Sequence, residues 1–149
     1  MKNETLLDFR KTLKLYKIEE KTNCKIINFI AEGGMSYVFY SKDKNNDEYA
    51  FKILKQNATS NRIEDIIRFR SEASTIAKIS HNNIIKVYNI DEIENIHFLQ
   101  MEYIKGAALD CLIKDSNHLS VDDSISVITN IALALEHVHN RKILHRDIK

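Results

Sequence analysis

Three runs rich in β-branched and aromatic residues follow one another between Lys25 and Leu54: KIINFIA, SYVFYS and EYAFKIL. They constrain the fold more than any other part of the sequence, because such residues suit the half-buried, pleated surface of a sheet. The polar stretch KDKNNDE joins the second run to the third. Its Asn and Asp residues tolerate the unusual backbone angles of a tight turn, so three antiparallel strands are expected here. Two more strand-like runs, NIIKVYNI and IHFLQMEYI, flank the acidic turn DEIEN.

Helical spacing brackets the strands. Leu6, Phe9, Leu13 and Tyr16, with Thr5 and Asp8 as a capping pair, predict one amphipathic helix over 5–17. Asn61 and Glu64 form the capping box of a second helix, whose apolar stripe is Ile63, Ile66, Ile67, Ala73, Ile76 and Ala77 and runs to Ile79. Ser120 and Asp123 open a third, over 121–140, with Ile125, Ile128, Ile131, Leu135 and Val138 at helical spacing. There is no proline, and only Gly33, Gly34 and Gly106 are glycine, so each glycine is notable punctuation. The order helix, three strands, helix, two strands, helices gives an α+β chain.

Charge and cysteines narrow the function classes. A formal net charge of +1 offers no concentrated basic face for nucleic acid. Cys24 and Cys111 lie far apart with no metal-ligand spacing, and no run of 18 apolar residues occurs. The expectation is a reduced, cytoplasmic chain without structural metal or membrane segment.

Four places could carry chemistry. IAEGGMSYV, Ile30 to Val38, sets Gly33 and Gly34 between two strands, where small residues let backbone amides approach an anion; an ordinary turn fits the same residues. Strand alternation puts Ala50, Lys52 and Leu54 on one face and Tyr49, Phe51 and Ile53 on the other. Over 49–54 Lys52 is then the one charge on a stretch apolar on both faces, and it either needs an anionic partner or lies on an edge strand with its ammonium in water. Glu72, among apolar helix neighbours, could reach Lys52 or pair locally with Arg68. His145, Arg146 and Asp147 form a cluster able to place a carboxylate beside a substrate hydroxyl, or simply a charged helix exit.

Taken in order, these segments resemble the first half of a eukaryotic-type protein kinase, most closely the bacterial serine/threonine kinases. The likeness is collinear from about Lys25: IAEGGMSYV at the glycine-rich loop, YAFK at the lysine strand, FRSEA at the glutamate helix, HNNIIKVYNI after it, LQMEYIKGAAL at the hinge and HRDIK at the catalytic loop. The resemblance implies a five-stranded antiparallel small lobe over 22–105 with one packed helix. An N-terminal helical extension over 1–21 would precede it, and the start of a helical large lobe would occupy 106–149. It implies ATP bound by Ile30, Gly33, Gly34, Ser36, Val38 and Ala50, with Met101 as gatekeeper and Glu102 and Ile104 as hinge groups. Lys52 would hold the α- and β-phosphates and pair with Glu72. Asp147 would orient and deprotonate the hydroxyl of a Ser or Thr in a protein substrate, with Lys149 beside the transferring phosphoryl group. Ala31 and Ser36 stand where the family has glycines. The family's magnesium-binding Asn and DFG Asp fall past Lys149, so the expectation is a fragment whose Mg2+ ligands are missing and which is inactive alone. The alternative is a non-catalytic nucleotide-binding module.

Overall fold

The computed structural model describes residues 6–56, 62–116 and 118–144. The chain divides into two compact units. One holds the described residues up to Lys78 together with Lys86–Tyr103; the other holds Ile79–Ile85 and the described residues from Ile104 onward.

The first unit is built on a five-stranded antiparallel sheet of β1 (Cys24–Glu32), β2 (Ser36–Asp43), β3 (Glu48–Leu54), β4 (Val87–Ile93) and β5 (Ile96–Glu102), in the spatial order β1-β2-β3-β5-β4. The β2–β3 turn forms as its composition predicts. Asp43 Oδ1 accepts from the amides of Asn45 and Asp47, at 2.8 and 2.9 Å, and Asn46 sits in the left-handed region at φ 68°. At the β4–β5 turn Glu94 and Asn95 both have positive φ, 47° and 63°. That is the two-residue geometry whose twist suits a hairpin. This turn also corrects an expected boundary: β4 extends through Asp91 to Ile93, whereas Asn83–Ile85 lie outside it.

β3 is the middle strand, and both of its faces are buried. Toward one side, Phe51 and Ile53 join Phe39, Phe98, Ile26 and Ile96. Toward the other, Leu54 and Leu99 pack with Phe69 and Ala73 of α3 (Arg62–Ile76). Fully burying each of these large side chains stabilises by about 1.5–3 kcal/mol.

The N-terminal segment departs from expectation. Instead of one helix over 5–17 there are two, α1 (Leu6–Thr12) and α2 (Leu15–Thr22), broken at Lys14, which has φ 48°. The break re-aims the apolar stripe: Leu15 and Ile18 are fully buried with Phe9 and Leu13, while Tyr16 is exposed. A continuous helix would have kept Tyr16 on the Phe9 face and turned Leu15 away. The pair covers the sheet face opposite α3 and belongs to the same core as Phe39 and Phe51. Three lysines of α2 and its break are clipped to the β4–β5 hairpin, Lys14 and Lys17 to Glu94 in its turn and Lys21 to Asp91 of β4.

α3 keeps Ile66 and Ala73 of its expected stripe on the core side but turns Ile63 and Ile67 outward. Asp65, Phe69 and Ala73, spaced by four, face inward, while Ile63 and Ile67 are exposed. Phe69 fills the space against Leu54 and Leu99 and so sets the rotation. The expected cap Asn61 and the expected Thr5 lie outside the described residues. Arg70 on α3 pairs with Glu92 at 3.2 Å, and Glu92 is also 3.3 Å from Nδ1 of the buried His97. Burial holds the His97 imidazole below its ordinary value of 6.5, against the pull of Glu92 and with Arg70 and Arg62 adding to it.

The second unit carries α4 (Leu109–Ser116) and α5 (Val121–His139). Ser120 caps α5 as expected, accepting from the Asp123 amide at 3.0 Å and donating to its carboxylate at 2.6 Å. Asn83 donates to the Asn130 carbonyl at 3.0 Å, tying the segment 79–85 to α5, and Val138 is buried. Ile125, Ile128 and Ile131 are exposed.

Candidate nucleotide site on the sheet

Cross-strand register decides which side chains share a face. Val38 pairs with Lys52, and Tyr40 with Ala50; Lys52 pairs in turn with Leu99, and Ala50 with Met101. Directly paired residues of antiparallel strands project to the same side. Val38, Ala50, Lys52 and Met101 therefore lie on one face, the face that also carries Leu54 and Leu99. Ile30 reaches the same hairpin by another route. Phe29 pairs with Phe39 and Ala31 with Val38, which leaves Ile30 as the extra residue of a β-bulge, half exposed.

The Gly33–Gly34 turn closes this hairpin. The Gly33 amide donates to the Ser36 carbonyl at 2.8 Å, and Lys55 donates its amide to the Met35 carbonyl at 2.9 Å. Neither glycine has a positive φ. A Cβ at Gly34 would meet nothing within 4 Å, and one at Gly33 would meet only Ser36 at ordinary contact distance. The turn is thus glycine-rich without a backbone need for glycine, and the result is open space above the amides. That is what close approach of a phosphate requires.

Lys52 is on the central strand, which removes the edge-strand reading. It does not, however, pair with Glu72. Among the described residues no carboxylate is within ion-pairing reach of its ammonium, which sits 6.0 Å over the Phe69 ring. Glu72 is exposed. The same rotation of α3 that buries Phe69 and Ala73 carries Glu72 outward, and that is the physical reason for this departure from the expected pair.

At the far end of the face, the Glu102 amide is already bonded to the Lys86 carbonyl at 2.8 Å. Ile104 is exposed and belongs to the other unit. Asp147 and Lys149 lie outside the described residues. Among the described residues, no group of three or more His, Cys, Asp or Glu side chains is gathered to hold a metal ion, and no helix is long and apolar enough to cross a membrane.

Two residues that sequence reasoning passed over also belong to the turn. Lys55 forms an ion pair with Glu32 at 2.6 Å and lies 4.9 Å over the Tyr37 ring, so it fastens the turn to the end of β3. The register could have found it, since the pairing of Ser36 with Leu54 puts the next residues, Met35 and Lys55, together.

Residues 24–149 match the family described as "Protein kinase domain". The chain belongs to the protein kinase family. Its relatives include the serine/threonine-protein kinase PrkC of Bacillus subtilis, 34% identical over 126 residues, covering 84% of this chain and 19% of PrkC. A probable serine/threonine-protein kinase of Clostridium acetobutylicum is 36% identical over 135 residues, covering 90% of this chain and 19% of that protein. The Mycobacterium tuberculosis PknI kinase domain has the same fold, with a TM-score of 0.69 at 23% identity, covering 85% of this chain and 52% of the solved one. The chain thus spans about a fifth of the length of these curated kinases. The five-stranded sheet with α3 on one face is the small lobe of the kinase fold.

Proposed function

We propose that the chain supplies the nucleotide-binding lobe of a cytoplasmic serine/threonine protein kinase, which moves the γ-phosphate of ATP to a Ser or Thr hydroxyl of a protein substrate. The observation that carries this is Lys52: a cation on the central strand, sharing a face with Val38, Ala50 and Met101, with no carboxylate to neutralise it among the described residues. Such a group is ready for an external anion, and the ATP phosphates are that anion. Val38, Ala50 and the bulged Ile30 offer the adenine an apolar bed, the Glu102 carbonyl can accept from its edge, and the amides of the Gly33–Gly34 turn cover the phosphates.

The roles of Asp147 and Lys149 rest on the family motif HRDIK: Asp147 orients and deprotonates the hydroxyl, and Lys149 offsets charge on the transferring group. Mg2+ entering with ATP neutralises phosphate charge. Glu72 can serve Lys52 only once α3 turns its exposed side toward β3.

The test is calorimetric titration of the chain with ATP, with and without Mg2+, alongside Lys52→Met. The expected result is saturable binding weakened at least about tenfold by the substitution, the loss of one charge-assisted contact worth roughly 1.5–3 kcal/mol. Binding that ignores Lys52→Met would overturn the reading. Binding without phosphate transfer to Ser/Thr peptides would favour the non-catalytic module.

A further inference from the structure

The hairpin that carries the glycine turn is held from behind by a side chain of the N-terminal extension. Phe9, in α1, is buried and stacks on Phe29 of β1, with centroids 5.1 Å apart and 14° between the planes. It meets Tyr37 and Phe39 of β2 edge-on, at 5.0 and 5.5 Å. One ring therefore contacts both strands of the hairpin just below the turn. These contacts lie on the face opposite Val38, since Tyr37 and Phe39 flank it in the strand.

The neighbouring residue fixes where that ring sits. Arg10 makes a two-pronged ion pair with Glu19 of α2, and both side chains bond the backbone of Ile26 in β1. Phe9 is thus set by an anchor at Ile26, before the first bulge in β1, and stacks on Phe29, which lies between the two bulges. Bulges weaken the ladder between β1 and β2, at 26–28 and again at 29–31. A hairpin loosened in this way takes its position from whatever packs on it.

We propose that Phe9 is a positioning residue: it braces the back of the β1–β2 hairpin and so sets the height of the glycine turn over a bound nucleotide. The nucleotide part of this inference rests on the reading of the site given above. The brace itself rests only on the ring contacts and the anchor. Aromatic pairs add about 0.5–1.5 kcal/mol beyond burial, and near 1.4 kcal/mol is tenfold in an opening equilibrium. Loss of the stacked geometry should therefore speed opening of the hairpin about fivefold.

The experiment compares Phe9→Leu with Ile18→Val in the whole 149-residue chain. Both are mild core changes on the same side of the sheet, but Ile18 belongs to no ring contact of the hairpin. Amide hydrogen exchange over residues 30–38 is expected to quicken about fivefold in Phe9→Leu and to stay within about twofold of the parent in Ile18→Val, with similar melting temperatures for the two variants. Equal acceleration in both variants, or none in Phe9→Leu, would overturn the brace. In a parallel ATP titration, Phe9→Leu should weaken binding by about the same factor and Ile18→Val should not. Equal affinities would overturn Phe9 as a positioning residue for nucleotide. A parent chain that binds no ATP, with the exchange contrast intact, would remove the nucleotide reading and leave the brace standing.

Discussion

Arg10 and Glu19 lie nine residues apart and meet through two hydrogen bonds, 2.9 and 2.8 Å long. The same pair fills both backbone positions of Ile26, with Arg10 donating to its carbonyl and the Ile26 amide donating to Glu19 at 2.8 Å. β1 is an edge strand, and here two side chains stand in for the missing neighbour strand.

Arg10→Ala should accordingly cost about 2–3 kcal/mol, because it leaves the partly buried Glu19 carboxylate without its cation, with the Ile26 amide as its remaining donor, and the Ile26 carbonyl without the Arg10 donor. Glu19→Gln keeps an acceptor for Ile26 and should cost nearer 1 kcal/mol. Urea denaturation of both variants and the double mutant checks this, with a coupling of about 1 kcal/mol or more expected.

Stability should fall as pH drops from 7 toward 5. Burial holds the folded-state pKa of His97 below its ordinary 6.5, so the unfolded chain binds the extra proton first. The stabilisation is complete above 6.5 and declines below it. His137 shifts in the same direction, mainly through burial, with Arg141 and His81 contributing. Melting temperatures recorded across this range should show a shallower slope for His97→Phe, with the His137 share remaining.

Glu72→Gln should change the ATP affinity of this chain by less than about twofold, because the exposed carboxylate makes no ion pair with Lys52 to lose. Calorimetry alongside Lys52→Met gives the contrast. A large effect of Glu72→Gln would mean that α3 rotates when nucleotide binds.

Ser120→Ala should cost about 1 kcal/mol by removing the cap of α5, and Ser120→Asp should restore most of it. Loss of helical circular dichroism on heating reads both.

Ile128→Lys should leave the melting temperature nearly unchanged, within about 0.5 kcal/mol, since the side chain is already exposed. It should reduce binding of a hydrophobic dye, because Ile125, Ile128 and Ile131 are all exposed on α5.

The strands and α5 were legible because their signals are local. Alternation set the faces of β3, and Ser120 with Asp123 marked the start of α5. What escaped was set by tertiary contacts. Nothing at Leu13–Lys14–Leu15 announces a helix break, since a lysine rather than a glycine or asparagine takes the left-handed angle. α3 contains two overlapping stripes, and the choice between Ile63 with Ile67 and Asp65 with Phe69 was made by the packing of Phe69 with Leu54 and Leu99. Arg10 and Glu19 are too far apart for a helical neighbour rule to join them. At the site, motif order pointed to Lys52 and Val38, whereas the rotation of Glu72 could be read only from packing.

Gly34 occupies ordinary backbone space with nothing above it. Alanine there would strain no angle and strike no atom, and by restricting the unfolded chain it would raise stability by about 0.4–1 kcal/mol. In a laboratory selection for heat resistance alone, alanine should therefore displace glycine at position 34. In a selection that also rewards grip on a phosphate, glycine should return. One methyl group would then report which of the two pressures a population has lived under.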